Sequence, residues 1–98
     1  MIYLDNNATT RLDDVVIEHM TKVMENDYAN ASSTQHKAGR IANNLVESAR
    51  QSIAELLEVS PKEIIFTSGA TESINLVIKG IYNRLQHFGK HIITCATE

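Results

Sequence analysis

Gly69, Ala70 and Thr71 lie between an apolar run, Ile64–Phe66, and a run with helical apolar spacing that begins near Thr71. Residues in that order could do one kind of chemistry, which is to hold an anion. The first N–H groups of a helix have no partner within it. Together with the helix dipole they attract phosphate or carboxylate. A glycine lets the backbone come close to a ligand, and the Thr71 hydroxyl adds a donor. Taken by itself the stretch also admits a plainer reading: Ser68 or Thr71 is an N-cap and Glu72 complements the dipole of the first turn. Neither GxGxxG nor GxxxxGK[ST] occurs, so the usual dinucleotide and nucleoside-triphosphate signatures are missing.

The other reactive side chains invite little chemistry. His19 falls among helix-surface positions. His87 is placed near a helix end, where a cation is favourable. His87 and His91 are four apart, but Gly89 between them is expected to end the helix, so no metal site is expected. Cys95 is the single cysteine and reads as a buried thiol at a strand end.

These residues need elements to position them. "IYL", Ile2–Leu4, reads as a short strand, and "DNNATT", Asp5–Thr10, as turn chemistry. A helix follows, with Leu12, Val16, Met20, Val23 and Met24 at helical spacing and Asp13 or Asp14 as its cap. After the polar loop 27–34 comes a longer helix, whose stripe runs through Ala38, Ile41, Ala42, Leu45, Val46, Ala49, Ile53 and Leu56. "SPKE", Ser60–Glu63, has the form of a capping box with Pro61 at the first helical position and reads as a tight turn into a strand, Ile64–Thr67. A third helix is predicted from Thr71 to about His87, ended by Gly89, and a last strand over His91–Cys95. Strand, helix, strand makes a right-handed βαβ crossover between parallel strands. The fold class is therefore α/β, a βαβ unit of a mostly parallel sheet preceded by two helices. A parallel sheet needs cover on both faces, and so few elements supply it poorly, so the 98 residues are expected to be the first portion of something larger.

Composition narrows the setting. Apolar residues make up 43% and charged residues 21%, the balance of an ordinary folded domain. The net charge of −3 recommends no nucleic-acid or anionic-membrane partner. No apolar run approaches the roughly 20 residues of a membrane span, and the acidic N-terminus is not a signal peptide. With one cysteine, a reducing, cytoplasmic setting is expected.

Four stretches occur in fixed order: "YLDNNATT", "NASSTQHKAG", "EIIFTSGATESINLVIKG" and "KHIITCATE". The series resembles, over essentially the whole chain, the N-terminal part of the cysteine desulfurases, fold-type I pyridoxal-phosphate enzymes related to the class V aminotransferases. The resemblance implies that Ala70 and Thr71, with Gly69 at the turn, hold the phosphate of pyridoxal 5'-phosphate through backbone N–H groups and the threonine hydroxyl. It makes Asn6, Asn7, Ala8 and Thr9 substrate-side candidates, with plain turn formation as the alternative. It places the loop Asn30–His36 near the active site and a dimer contact. His36 is then either a site residue or a histidine with a local role at a helix start.

The resemblance also implies what these residues lack. Lys22, Lys37, Lys62, Lys79 and Lys90 match no Schiff-base motif of the family. In the family the sulfur-accepting cysteine, the histidine that stacks on the cofactor ring, the aspartate that pairs with its pyridine nitrogen and the Schiff-base lysine all come later in the chain. No catalytic residue is therefore expected within 1–98, and the chain alone is expected to be inactive. It is read as an N-terminal segment of a transferase domain, with about residues 1–12 in or bordering the small domain. The complete enzyme would be a homodimer converting L-cysteine to L-alanine. It would pass sulfur as a persulfide to an acceptor or scaffold protein for iron–sulfur or thio-cofactor assembly. A selenocysteine lyase, another class V enzyme, or a non-catalytic phosphate-binding or incompletely folded fragment are the alternatives.

Overall fold

Asp13 decides where the first helix starts. In the computed structural model, which describes residues 1–85 and 87–96, its carboxylate accepts from the Val15 N–H at 3.0 Å, and α1 runs Asp14–Asn26. Lys22 and Glu18, one turn apart, pair at 2.7 Å on its surface. Such an exposed pair contributes only a few tenths of a kcal/mol, on the order of 0.3–0.5. Ahead of α1 the "DNNATT" turn forms as its composition predicts. The Asp5 carbonyl accepts from the N–H groups of Ala8 and Thr9 at 3.1 and 3.3 Å. The Tyr3 hydroxyl lies 2.9 Å from both the Asp5 and Thr9 carbonyls and shares its one hydrogen between them.

The chain divides into two compact units, Met1–Ile64 and Ile65–Glu98. The first is organised on α2, Lys37–Leu57. His36 is its N-cap. The glycine one turn in, Gly39, is buried because the turn at Asn30–Ser33 docks on it. At the other end Glu58 takes a left-handed conformation, φ 56 and ψ 39. The Val59 N–H reaches the Ala54 carbonyl at 3.0 Å and the Glu58 N–H that of Glu55 at 3.2 Å, the bond pattern of a Schellman ending. The predicted capping box at Ser60–Glu63 is complete, around a 3-10 turn at Pro61–Glu63. That turn packs against α2, and Arg50 of α2 donates to the Ile64 carbonyl.

The second unit carries α3, Ala70–Leu85, which starts one residue before the predicted Thr71. The residue after Leu85, Gln86, lies outside the described residues. The Phe88 N–H returns to the Leu85 carbonyl at 2.8 Å. Gly89 does not have the positive φ expected of a C-cap glycine.

The sheet is the main difference from the sequence reading. No strand forms among the described residues, although Ile2–Leu4, Ile64–Thr67 and His91–Cys95 are all predicted as strands. Ile64 is extended, φ −88 and ψ 124, so the local tendency is realised. A strand, however, is defined by a neighbour's hydrogen bonds, and a parallel sheet forms where both of its faces are covered. Cys95, expected to be buried at a strand end, is exposed for the same reason. The apolar stripes of the helices follow suit. α1 and α3 hold no buried residue, and α2 buries only Gly39, Ala42 and Ala54.

Candidate anion-binding site

The loop before α3 uses up a specific subset of its own polar groups. The Gly69 carbonyl is the centre of the arrangement. It accepts from the Ser73 N–H and the Ser73 hydroxyl, both at 3.1 Å, and from the Thr67 hydroxyl at 3.3 Å. The Thr67 and Ser73 hydroxyls are also 2.7 Å apart, and since each has a single hydrogen, one of them donates either to the other or to the Gly69 carbonyl. Both residues are half-buried. Glu72 reaches back along the chain, and one of its oxygens, Oε2, accepts from both the Ser68 N–H and the Ser68 hydroxyl, each at 2.7 Å. The Ser68 amide first, and its hydroxyl second, hold the Glu72 carboxyl below the usual glutamate range.

The donors left over are those the sequence singles out. No described residue bonds to the N–H groups of Gly69, Ala70, Thr71 or Glu72, or to the Thr71 hydroxyl. Gly69 has φ +157, a conformation that disfavours a side chain, and a Cβ built there would meet nothing within 4 Å. The space in front of the turn is thus open. The capping half of the plainer reading is not realised, since neither the Ser68 nor the Thr71 hydroxyl accepts from the helix start; its other half holds, with Glu72 in the first turn of α3. A cluster of exposed N–H donors and one hydroxyl at the positive end of a 16-residue helix suits a phosphate-sized anion.

The remaining predicted site residues, Asn6–Thr9 and His36, belong to the unit Met1–Ile64. Asn6, Asn7, Ala8 and Thr9 form the exposed N-terminal turn, and no described residue bonds to the Asn7 or Thr9 side chain. The Thr10 hydroxyl donates to the Asn6 carbonyl at 2.8 Å, which ties the turn to itself. His36 caps α2, with Nδ1 accepting from the Gly39 N–H at 3.1 Å. The ring proton of this tautomer is therefore on Nε2, and His36 makes a local capping bond at the start of α2. His87 and Phe88 stack at 4.2 Å, tilted by 42°. No cluster of metal-ligating side chains occurs among the described residues. A groove of about 230 Å³, mostly apolar, lies between Val77, Ile78, Ile81 and Leu85 of α3 and residues 89–92, and Lys90 and His91 are part of its lining. None of the residues of the helix start lines it.

Sequence reasoning found the open donors and missed the clasp between Ser68 and Glu72. A signal was available, since a glutamate at the third helical position habitually reaches back to a backbone N–H before the helix. With a glycine directly ahead of Ala70, it reaches one residue further.

The family model for aminotransferase class-V matches residues 2–98, and the chain belongs to that family. Among curated proteins it is 52% identical over 99 residues to the cysteine desulfurase IscS of Colwellia psychrerythraea, 47% over 97 residues to that of Anaeromyxobacter sp. strain K, and 50% over 99 residues to that of Klebsiella pneumoniae subsp. pneumoniae. Each alignment covers 99% of this chain and 24% of the relative, so the chain spans about a quarter of the length of the curated relatives it matches. No solved structure matches it.

Proposed function

We propose that these residues are the N-terminal cofactor-phosphate segment of a pyridoxal-phosphate-dependent cysteine desulfurase. The observation that carries the reading is the set of unengaged donors at Gly69–Thr71. It lies in a chain about half identical to proteins named for that activity. The fit to the cofactor rests on chemistry: a phosphate monoester presents several charged acceptors, and the helix start presents several N–H donors with no side chain in the way. Ala70 and Thr71 bind the phosphate through their N–H groups, Thr71 adds its hydroxyl, and Gly69 allows the approach. Pyridoxal phosphate, when bound, supplies an electron sink for chemistry at an amino-acid substrate. Residues 1–98 contribute binding and orientation to that chemistry, and the chain alone is inactive.

In the longer protein the substrate is L-cysteine and the product L-alanine, with the sulfur leaving as a persulfide for an acceptor or scaffold protein. Its setting is cytoplasmic and its assembly a homodimer. No helix among the described residues is long and apolar enough to cross a membrane. Ile64–Thr67 and His91–Cys95 become strands of the fold-type I sheet once neighbouring strands are present, and residues 1–12 border the smaller domain. Asn7, Ala8 and Thr9 face the substrate there; their side chains, uncommitted in this structure, are compatible with that. His36 stands near that site through the loop it anchors.

The test is a titration of pyridoxal 5'-phosphate into the isotopically labelled chain, read at individual amides. The Ala70 and Thr71 resonances should shift and saturate. Thr71→Ala should weaken binding about tenfold, the lower end for a lost hydrogen bond to a charged group. Unshifted amides at 69–72, or an unchanged affinity in Thr71→Ala, would refute the assignment.

A further inference from the structure

We propose that Glu72 is a positioning residue that keeps the anion site open by holding Ser68 away from the helix start. The inference rests on the anion reading of Gly69–Thr71. Serine is among the best N-cap residues, and its hydroxyl ordinarily accepts from an N–H two or three positions on. From Ser68 those positions are Ala70 and Thr71, the donors a phosphate would use. In this structure the Ser68 hydroxyl instead donates to Glu72 Oε2 at 2.7 Å, and the Ser68 N–H donates to the same atom at 2.7 Å. A hydroxyl has a single hydrogen, and the clasp commits it and fixes the direction of the side chain. The Gly69 carbonyl, held by Thr67 and Ser73, locks the next peptide. The chain therefore enters α3 with its natural cap diverted and its first N–H groups free.

Glu72 has a second effect of opposite sign. It places a negative charge beside an anion site, and that charge by itself weakens phosphate binding. The two effects make opposite predictions for Glu72→Ala, and this separates positioning from plain electrostatics. Once released, Ser68 swings onto the Ala70 or Thr71 N–H and competes with the ligand.

The experiment titrates inorganic phosphate into the labelled chain and its variants, read at the Ala70 and Thr71 amides. Glu72→Ala should weaken phosphate binding roughly fivefold, the equivalent of one N-cap hydrogen bond to be displaced. Ser68→Ala added to Glu72→Ala removes the competing hydroxyl and should restore the affinity. Glu72→Gln, which keeps an acceptor for Ser68 and removes the charge, should bind phosphate at least as tightly as the original chain. Tighter binding in Glu72→Ala, or no restoration by Ser68→Ala, would overturn the proposal. Independently of any ligand, the Ser68 amide resonance must move in Glu72→Ala, and an unmoved resonance overturns the clasp. No phosphate response in the original chain together with a moved Ser68 resonance overturns the anion reading and upholds the clasp.

Discussion

Glycine-to-alanine substitutions at Gly39 and Gly80 should have opposite effects, although both residues are inside helices. In a helix interior alanine is favoured over glycine by about 1 kcal/mol. At Gly80 in α3 an added Cβ meets nothing within 4 Å, so Gly80→Ala should realise that gain. At Gly39 the same Cβ would lie 1.9 Å from the Ser33 carbonyl oxygen, 2.7 Å from its carbon and 3.0 Å from the Asn30 carbonyl oxygen. Ordinary contact begins near 3.4 Å, so the Asn30–Ser33 turn must retreat by about 1.5 Å. The obstacle is backbone, which cannot swing aside as a side-chain tip can. Retreat pulls on the bond from the Ser33 N–H to the Asn30 carbonyl, 3.0 Å, and on the His36 cap. Overpacking of this kind costs about 1–3 kcal/mol, which exceeds the propensity gain, and a net loss of up to about 2 kcal/mol follows. Circular dichroism at 222 nm through a urea titration measures both variants against the original chain, and amide resonances of Asn30–His36 report the local displacement. A Gly39→Ala chain that gains stability as Gly80→Ala does, with those resonances unmoved, would refute the close approach.

Two further outcomes follow from the helix termini. Glu58 holds a left-handed conformation at the end of α2, which is unfavourable for a residue with a Cβ by about 1–2 kcal/mol. Glu58→Gly should stabilise the helix end by a net ~0.5–1 kcal/mol after the greater freedom of glycine in the unfolded chain is subtracted, seen as slower amide exchange at Val59. Glu72 titrates below its ordinary value of 4.5 because of its bonds from Ser68. A depressed carboxyl contributes stability that is present above the unfolded value and is lost as pH falls through the folded one. The start of α3 should therefore hold from pH 7 down to 4.5 and loosen below it, and Ser68→Ala should raise the Glu72 midpoint in a carboxyl-detected titration. A Glu72 midpoint at or above 4.5 would contradict the clasp.

Much of the local structure was legible. Asp13 as a cap, the Ser60–Glu63 box and the unbroken stripe of α2 are all written in spacings of two to four residues, and the helices start within a residue or so of where those spacings place them. The open N–H groups at the start of α3 were legible in part, since any helix start that lacks a capping side chain leaves them unengaged. What could not be read was the choice among competing local partners. Ser68 could have capped α3, and Glu72 could have served only the dipole. Which bond forms depends on the torsions at Gly69. That His36 Nδ1 caps α2 by accepting from the Gly39 N–H was likewise not legible. Gly89 looked like a helix terminator, but α3 ends at Leu85.

The sequence by itself determined three helices, the Asp13 cap, the Ser60–Glu63 box and, through motifs in fixed order, membership of the class-V aminotransferases. These are properties of neighbours along the chain, whose hydrogen bonds close within about one helical turn. Tertiary structure decided the rest. The docking of Ser33 on Gly39 makes a glycine obligatory at that position, although its neighbours in sequence call only for helix. The segments Ile2–Leu4, Ile64–Thr67 and His91–Cys95, predicted as strands, have no ladder among the described residues, because a strand is completed by the groups of a neighbouring strand. A helix satisfies its backbone internally and forms here even with its apolar face exposed, whereas a sheet satisfies its backbone only through its neighbours.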